Sequence, residues 1–416
     1  MLRTQIARCA VTALLSAVLM TPATAEAGAK KAKVLSAHSV FNAEKRKKTR
    51  HKIGQRLSYS IYSSVKFQGE RNQRRDDRVN DRLEERALYI GFVGRADLGN
   101  GVLAFAHGEA EVKSKTTQNR SYGLRASWTT KEAFLSFKLN EDARITVGRM
   151  RFSDLNKWVA DAAVDGVHYG HKSKNGISEI AAFVGVDDVT SHYLMFHHGR
   201  VNGKIRYGAL TLLEKDGSEK RLHLSGYAKS SPTKRATYEA SVGLVAGDAA
   251  NSQPSGIGFD LRTTQKLGSY NLNPQLMLGF AAGSKGFRQP TIHSNKTYNA
   301  GQAQVHRYGY VFQPDLSNLA VGSFAVGIRP SRKLSVDLGL HTYAQLSKST
   351  TGPIARVSGA TTGESSFLGT EISLAGAWRP NKSSKVEFGI GHFNPGPALK
   401  DQSSATRVYL RLSASF

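Results

Sequence analysis

RVYLRLSASF, residues 407–416, stands at the C-terminal end of the chain. From Val408 every second residue is apolar or small: Val408, Leu410, Leu412, Ala414 and Phe416. The intervening face carries Arg407, Tyr409, Arg411, Ser413 and Ser415. Period-two alternation of this kind is the signature of a β-strand with two unlike faces. What each face meets decides the fold.

The same alternation recurs upstream. Leu57, Tyr59, Ile61, Val65 and Phe67 interleave with Arg56, Ser58, Ser60, Ser64 and Lys66. Tyr238, Ala240, Val242 and Leu244 interleave with Thr237, Glu239, Ser241 and Gly243. Leu334, Val336, Leu338 and Leu340 do so with Ser335, Asp337, Gly339 and His341, and Leu368, Ile372, Leu374 and Trp378 with Gly369, Glu371, Ser373 and Arg379. The pattern divides the chain into 18 segments, near 55–68, 85–96, 100–113, 129–139, 143–151, 163–173, 176–187, 191–201, 203–214, 219–231, 235–249, 255–268, 270–284, 317–330, 332–346, 367–380, 384–393 and 404–416. Most match the roughly 9–11 residues a tilted strand needs to cross a bilayer; soluble strands average about 5–6.

The connections sort by parity. After even-numbered segments they are short, as at Asp97–Asn100, Ser173–Gly176, Arg200–Gly203, Pro330–Arg332 and Pro380–Ser383. After odd-numbered segments they are often long: 69–84, 114–128, 152–162, 285–316, 347–366 and 394–403. A barrel entered from the periplasm has short periplasmic turns and long outer loops. A spanning sheet must close on itself, because lipid offers its backbone no hydrogen bonds. The expected fold is all-β: a single transmembrane antiparallel barrel of about 18 strands over 55–416, with the first strand pairing the last.

Composition agrees. Residues 1–25 read as a cleaved signal peptide: Arg3 and Arg8, an apolar run Ala10–Met20, then small residues to Ala25. Residues 26–54 are small and basic, with Lys45-Arg-Lys-Lys-Thr-Arg-His-Lys52, and read as a flexible leader. The only cysteine, Cys9, lies in the signal, so no disulfide, thiol nucleophile or cysteine-type metal site is expected. The formal charge of +26 favours an anionic partner. Export past the inner membrane argues against nucleic acid. No metal, cofactor or catalytic constellation is expected; His197 and His198 are adjacent and point to opposite faces of a strand.

Placing the polar parity inward gives a mixed but basic lining: Arg56, Lys66, Lys204, Arg206, Arg221, Lys229, Arg262, Arg379, Arg407 and Arg411, with Glu239, Asp260, Asp337, Glu371 and Glu387 among them. Arginine forks suit carboxylates. The alternative is a network of ion pairs that stiffens the wall.

Three stretches carry a family resemblance. ITVGRMRFSDLNKWVADAAVDGVHY (145–169) resembles the alginate export porin family at its Gly-Arg-Xaa-Arg strand end, its acidic loop with Trp and the next strand. SNKTYNAGQAQVHRYGYVFQPDLSNLAVGSF (294–324) resembles a block of that family in a long outer loop. GIGHFNPG (389–396) is similar to its Phe-Xaa-Pro-Gly strand exit. The terminal Phe416 is similar to the assembly signal of outer-membrane proteins generally.

This resemblance implies a monomeric barrel of 18 strands in a Gram-negative outer membrane that passes an anionic, alginate-like uronate polysaccharide. Its partners would be that polymer, outer-membrane lipid and periplasmic polymer-export proteins. It implies that Arg149 and Arg151 are the paired pore arginines, that Asp161 and Asp165 are acids beside them, and that Lys66 and Lys296 are further basic positions. Arg149 and Arg151 share parity with Ile145 and Val147, so a bulge at Gly148, or exit above the bilayer, would have to re-aim them. The chain departs from the family at Glu387 and Gly389, where arginines are usual, at Gln304, and in the short turn 380–383. The competing readings are a porin for small anions, a barrel enzyme and a soluble basic binding protein.

Overall fold

The computed structural model describes residues 39–41, 51–72, 82–117, 120–186, 191–248, 255–268 and 271–416. The expected signal, 1–25, lies outside them. The main sheet has 19 strands, of which the three-residue strand His51–Ile53 is a short addition beside Leu57–Tyr59. The remaining strands form a closed antiparallel barrel of 18. β1 is Leu57–Arg71, β2 Arg82–Gly99, β3 Val102–Thr117, β4 Ser121–Lys138, β5 Ala143–Ser153 and β6 Asp161–Lys172. β7 is Gly176–Gly185, β8 Ser191–Asn202, β9 Ile205–Asp216, β10 Glu219–Ser230, β11 Ala236–Asp248 and β12 Ser255–Lys266. β13 is Gln275–Gly283, β14 Leu319–Ile328, β15 Leu334–Ala344, β16 Phe367–Trp378, β17 Ser384–Pro395 and β18 Ala405–Ser415.

Each strand pairs with the next, and β1 pairs with β18 from Tyr62–Ser415 to Arg71–Thr406. Closure leaves no edge along the membrane band, as a bilayer requires. Side chains obey the parity of the sequence. Ile61, Phe67, Ile90, Val167, Phe196, Leu261, Leu338 and Leu410 are exposed on the outer face. Ser60, Ser64, Gln68, His168, Glu179, His197, Asp260 and Glu371 are buried within. A girdle of large apolar side chains facing water would forfeit about 1.5–3 kcal/mol for each one; facing lipid it costs nothing.

The connections also divide as expected. Those after even strands run from Asn100–Gly101 up to 267–274, whereas 284–318 follows β13 and 345–366 follows β15. One expected loop is corrected: 114–128 is largely strand, because β3 runs to Thr117 and β4 starts at Ser121. Beyond the bilayer a strand needs no apolar face, so its sequence loses the alternation while the ladder continues. Pairing of β4 with β5 stops at Ala133–Arg149, so residues 121–132 of β4 form a ladder with β3 alone. A second correction concerns Leu368. The β15–β16 register shifts near Gly369, whose φ is +136°, and Leu368 turns inward while Phe367 takes the outer face.

The expected flexible leader, 26–54, is also corrected where it is described. Val40 and Phe41 are buried inside the barrel, at 2% and 4% exposure, and His51–Ile53 is paired strand. Among the described residues, the extended apolar core is the filling of the lumen by this segment and by two connections that fold inward.

Candidate transport lumen

The connection 154–160 turns into the barrel because its first residue organises it. The Asp154 carboxylate accepts backbone N–H bonds from Asn156, Trp158, Val159 and Ala160 at 2.7–3.3 Å. Burial pushes the Asp154 carboxyl up even so, against the pull of those four donors. From this turn Asn156 Nδ2 reaches across to the Ala240 carbonyl and Ser241 Oγ on β11. Trp158 stacks on Phe287 and donates to Tyr308 Oη at 2.7 Å.

The 284–318 connection fills what 154–160 does not. Arg307 is 2% exposed and donates to Asp260 (3.0 Å), to Glu239 (3.4 Å) and to the Asn156 carbonyl (2.7 Å). Tyr308 Oη donates to Asp260 at 2.8 Å. Glu371 on β16 accepts the N–H groups of Tyr310 and Phe312. Tyr310 and Val311 lie flat on β17 at Gly389 and Gly391, where an added Cβ would come within 2.9 and 2.6 Å of them. The departure at Gly389 thus makes room for Tyr310. His293 ties the connection to itself, its Nε2 donating to Asp315 Oδ1 at 2.8 Å. Burial disfavours the His293 charge, but the Asp315 bond outweighs it and lifts the imidazole above its ordinary value. His306 is pushed well below its own, by burial and then by neighbouring cationic groups.

These anchors leave a charged strip along β17, β18 and β1 to β3. Lys66 and Arg411 stand directly opposite each other on β1 and β18. Lys66 Nζ is 2.8 Å from Glu85 on β2. Arg411 donates to Ser64 Oγ at 2.9 Å and its guanidinium lies 5.5 Å from the Tyr89 ring centroid. Arg407 reaches Glu70 at 3.2 Å and the Tyr310 carbonyl at 3.1 Å, over the Tyr310 ring. Lys113 and Lys385 add cations, Glu111 and Glu387 add acids. The strip interleaves cations with acids.

The other expected pore residues are placed differently. Arg206 faces inward opposite Lys229 and Val201. Arg262 is inward but buried, spent on Thr297, Asn299 and the Arg307 carbonyl. Arg379 sits in the exposed turn after β16. Lys296 stands opposite His306 in the two-residue ladder of Lys296–Thr297 with Val305–His306.

Arg149 and Asp165 are a correction. They pair with each other at 2.6–2.8 Å on opposed positions of β5 and β6. Their parity is that of exposed Val147 and Val167, whereas Thr146, Met150 and Phe152 turn inward. Gly148 has φ +117°, yet the register runs through it unbroken, so the alternation does not flip. Arg149 and Asp165 therefore face away from the lumen. Arg151 and Asp161 lie at the outer tips of the same strands, bonded to each other, with Lys157 and Ser294 Oγ also on Asp161. That cluster joins strand to loop.

Sequence reasoning missed Arg307, Tyr308, Tyr310 and Glu179. A signal existed for the first: Glu239 and Asp260 are inward acids on neighbouring strands, and buried carboxylates need a partner.

The family model described as Alginate export matches residues 167–412, more than half of the chain. The chain belongs to the alginate export family. No curated protein matches its sequence. Among solved structures it is similar to Pseudomonas aeruginosa OccK5 (OpdH), with 8% identity, a TM-score of 0.58, and 87% of this chain and 98% of that one covered. It is similar to the P. aeruginosa outer membrane protein OprD (6%, 0.57, 86% and 93%) and to Acinetobacter baumannii OccAB4 (7%, 0.58, 87% and 99%). At these identities the likeness is one of fold. Family and fold together make this barrel an outer-membrane transport channel.

Proposed function

We propose that the channel exports an anionic, alginate-like uronate polysaccharide, passively and without covalent chemistry. The observation that carries this reading is the facing pair Lys66–Arg411 within a strip of half-buried charge. Cations alternating with acids bind a carboxylated chain weakly at each step, so that the polymer slides rather than sticks. Residues 1–25 act as the cleaved signal, the barrel works as a monomer, and periplasmic export proteins deliver the polymer. N-terminal sequencing of outer-membrane protein should begin at Glu26.

A second reading, a porin for small anions, is favoured by the inward folding of 154–160 and 284–318, which narrows the lumen. Planar-bilayer recording separates the two. Export of a polymer predicts block of the ionic current by uronate oligomers, deepening with oligomer length, and little block by phosphate. Block by phosphate with none by oligomers would favour the porin. Turnover of a lipid or polysaccharide by the purified barrel would sink both.

A further inference from the structure

Three residues of the basic leader occupy a built recess in the inner wall. Ser39 Oγ donates to Glu179 Oε1 at 2.6 Å, and the Val40 N–H donates to Glu179 Oε2 at 2.9 Å. Ser153 N–H returns a bond to the Val40 carbonyl at 3.1 Å. Phe41 lies 4.2 Å from the His168 ring, 4.9 Å from Phe152 and 6.4 Å from Phe183, centroid to centroid. The Glu179 carboxylate also meets His168 Nε2 at 3.0 Å and His197 Nδ1 at 2.6 Å. Its two oxygens thus hold two wall groups and two leader groups.

A buried carboxylate that takes a hydroxyl and a main-chain N–H, with an aromatic nest beside it, is a site for a short peptide. The strands of the wall satisfy their own backbone, so this spare acceptor has no role in the ladder. The segment is covalently joined to the wall: nine residues, 42–50, connect Phe41 to His51 beside β1. Tethering raises its local concentration, so three residues suffice to hold it. The same small contact makes it easy to displace.

We propose that Ser39–Phe41 is an internal plug, a self-ligand that narrows the lumen at rest and leaves the Glu179 recess when polymer passes. The proposal rests on the channel reading and gives it two states: a narrow one that passes small ions and a wider one that admits a chain.

The test uses the full barrel with Cys9→Ala, Val40→Cys and Ser153→Cys, a backbone-bonded pair that leaves the Phe41 nest intact, joined by a short, reducible bis-thiol reagent, with Phe41→Ala alongside. Seating predicts efficient cross-linking in the isolated barrel. The plug predicts that reduction raises single-channel conductance, and that Phe41→Ala, which loses a buried phenyl ring, shifts the seated-to-free ratio by about 10- to 100-fold towards the high-conductance level. Failure to cross-link would refute the seating. Cross-linking with equal, non-zero conductance before and after reduction would refute the plug and leave the channel intact. A barrel silent in every state, Phe41→Ala included, would refute channel and plug together.

Discussion

The inner wall has two unlike halves. Along β5 to β9 it presents Met150, Phe152, Phe183, Met195, Leu210 and Leu212, all buried, and the leader packs there. Along β17, β18 and β1 to β3 it presents Lys66, Glu85, Lys113, Glu387 and Arg411, half-buried and charged. An apolar inner wall is useful only when covered, so that half became a docking bed for chain segments. A charged wall is stable when wet, so the other half stays available to solutes. The filling is held by the apolar wall of β5 to β9 and by anchors on β11, β12, β16 and β17, and the charged strip offers the route beside it.

Four experiments press on that contrast. The largest effect belongs to the filling. Arg307→Ala strips Asp260, Glu239 and the Asn156 carbonyl of a buried partner and should cost about 3–5 kcal/mol. Melting in detergent should fall sharply while the barrel remains heat-modifiable, and conductance should rise as 284–318 loosens. An unchanged melt would show that the connection is held elsewhere.

The next is the route. Lys66→Glu with Arg411→Glu should move the reversal potential in a salt gradient towards cations, because both side chains lie on the wet half. A reversal potential that stays put would return the strip to mere wall stiffening. By contrast, Arg149→Gln should leave selectivity alone, since Arg149 faces outward, and should cost about 1 kcal/mol or less near the membrane interface. Replacing Asp165 by Asn as well should recover that loss, read as a double-mutant cycle in melting temperature. A selectivity change in the single variant would put Arg149 back in the pore.

The smallest effect is a pH slope. His293 has a raised pKa in the folded protein. Its bond to Asp315 therefore contributes fully below the ordinary histidine value of about 6.5 and is lost as pH rises through the raised value. His306 stays neutral across that window, because its own value is pushed down. Stability should decline from about pH 6.5 upward, and His293→Gln should flatten the decline. Parallel slopes would mean that the bond contributes nothing.

Much of this was legible in the residues. Strand number, closure and facing followed from two-residue alternation, because lipid and lumen impose opposite demands on neighbouring side chains. Arg407 and Arg411 face inward as RVYLRLSASF implied. Strand ends were not legible: above the bilayer the alternation stops while the ladder goes on, as at Lys113–Thr117. The filling was harder still. Gly389 and Gly391 look like ordinary strand glycines, and only the position of Tyr310 and Val311 explains them. Resemblance misplaced Arg149, because a motif preserves residue order and says nothing of which side a strand turns.

The pairing of β1 with β18 also sets an order of events. Phe416 N–H bonds to the Ile61 carbonyl at 2.8 Å, joining residues from opposite ends of the chain. Every other interstrand ladder connects neighbours in sequence and can form locally. This seam must await the full chain, so loop-closure entropy concentrates in one late step. Until then both β1 and β18 present open hydrogen-bonding edges, and each is a template for the wrong partner. The barrel is thus most vulnerable at the last moment of its own assembly, at the strand where its sequence pattern is plainest.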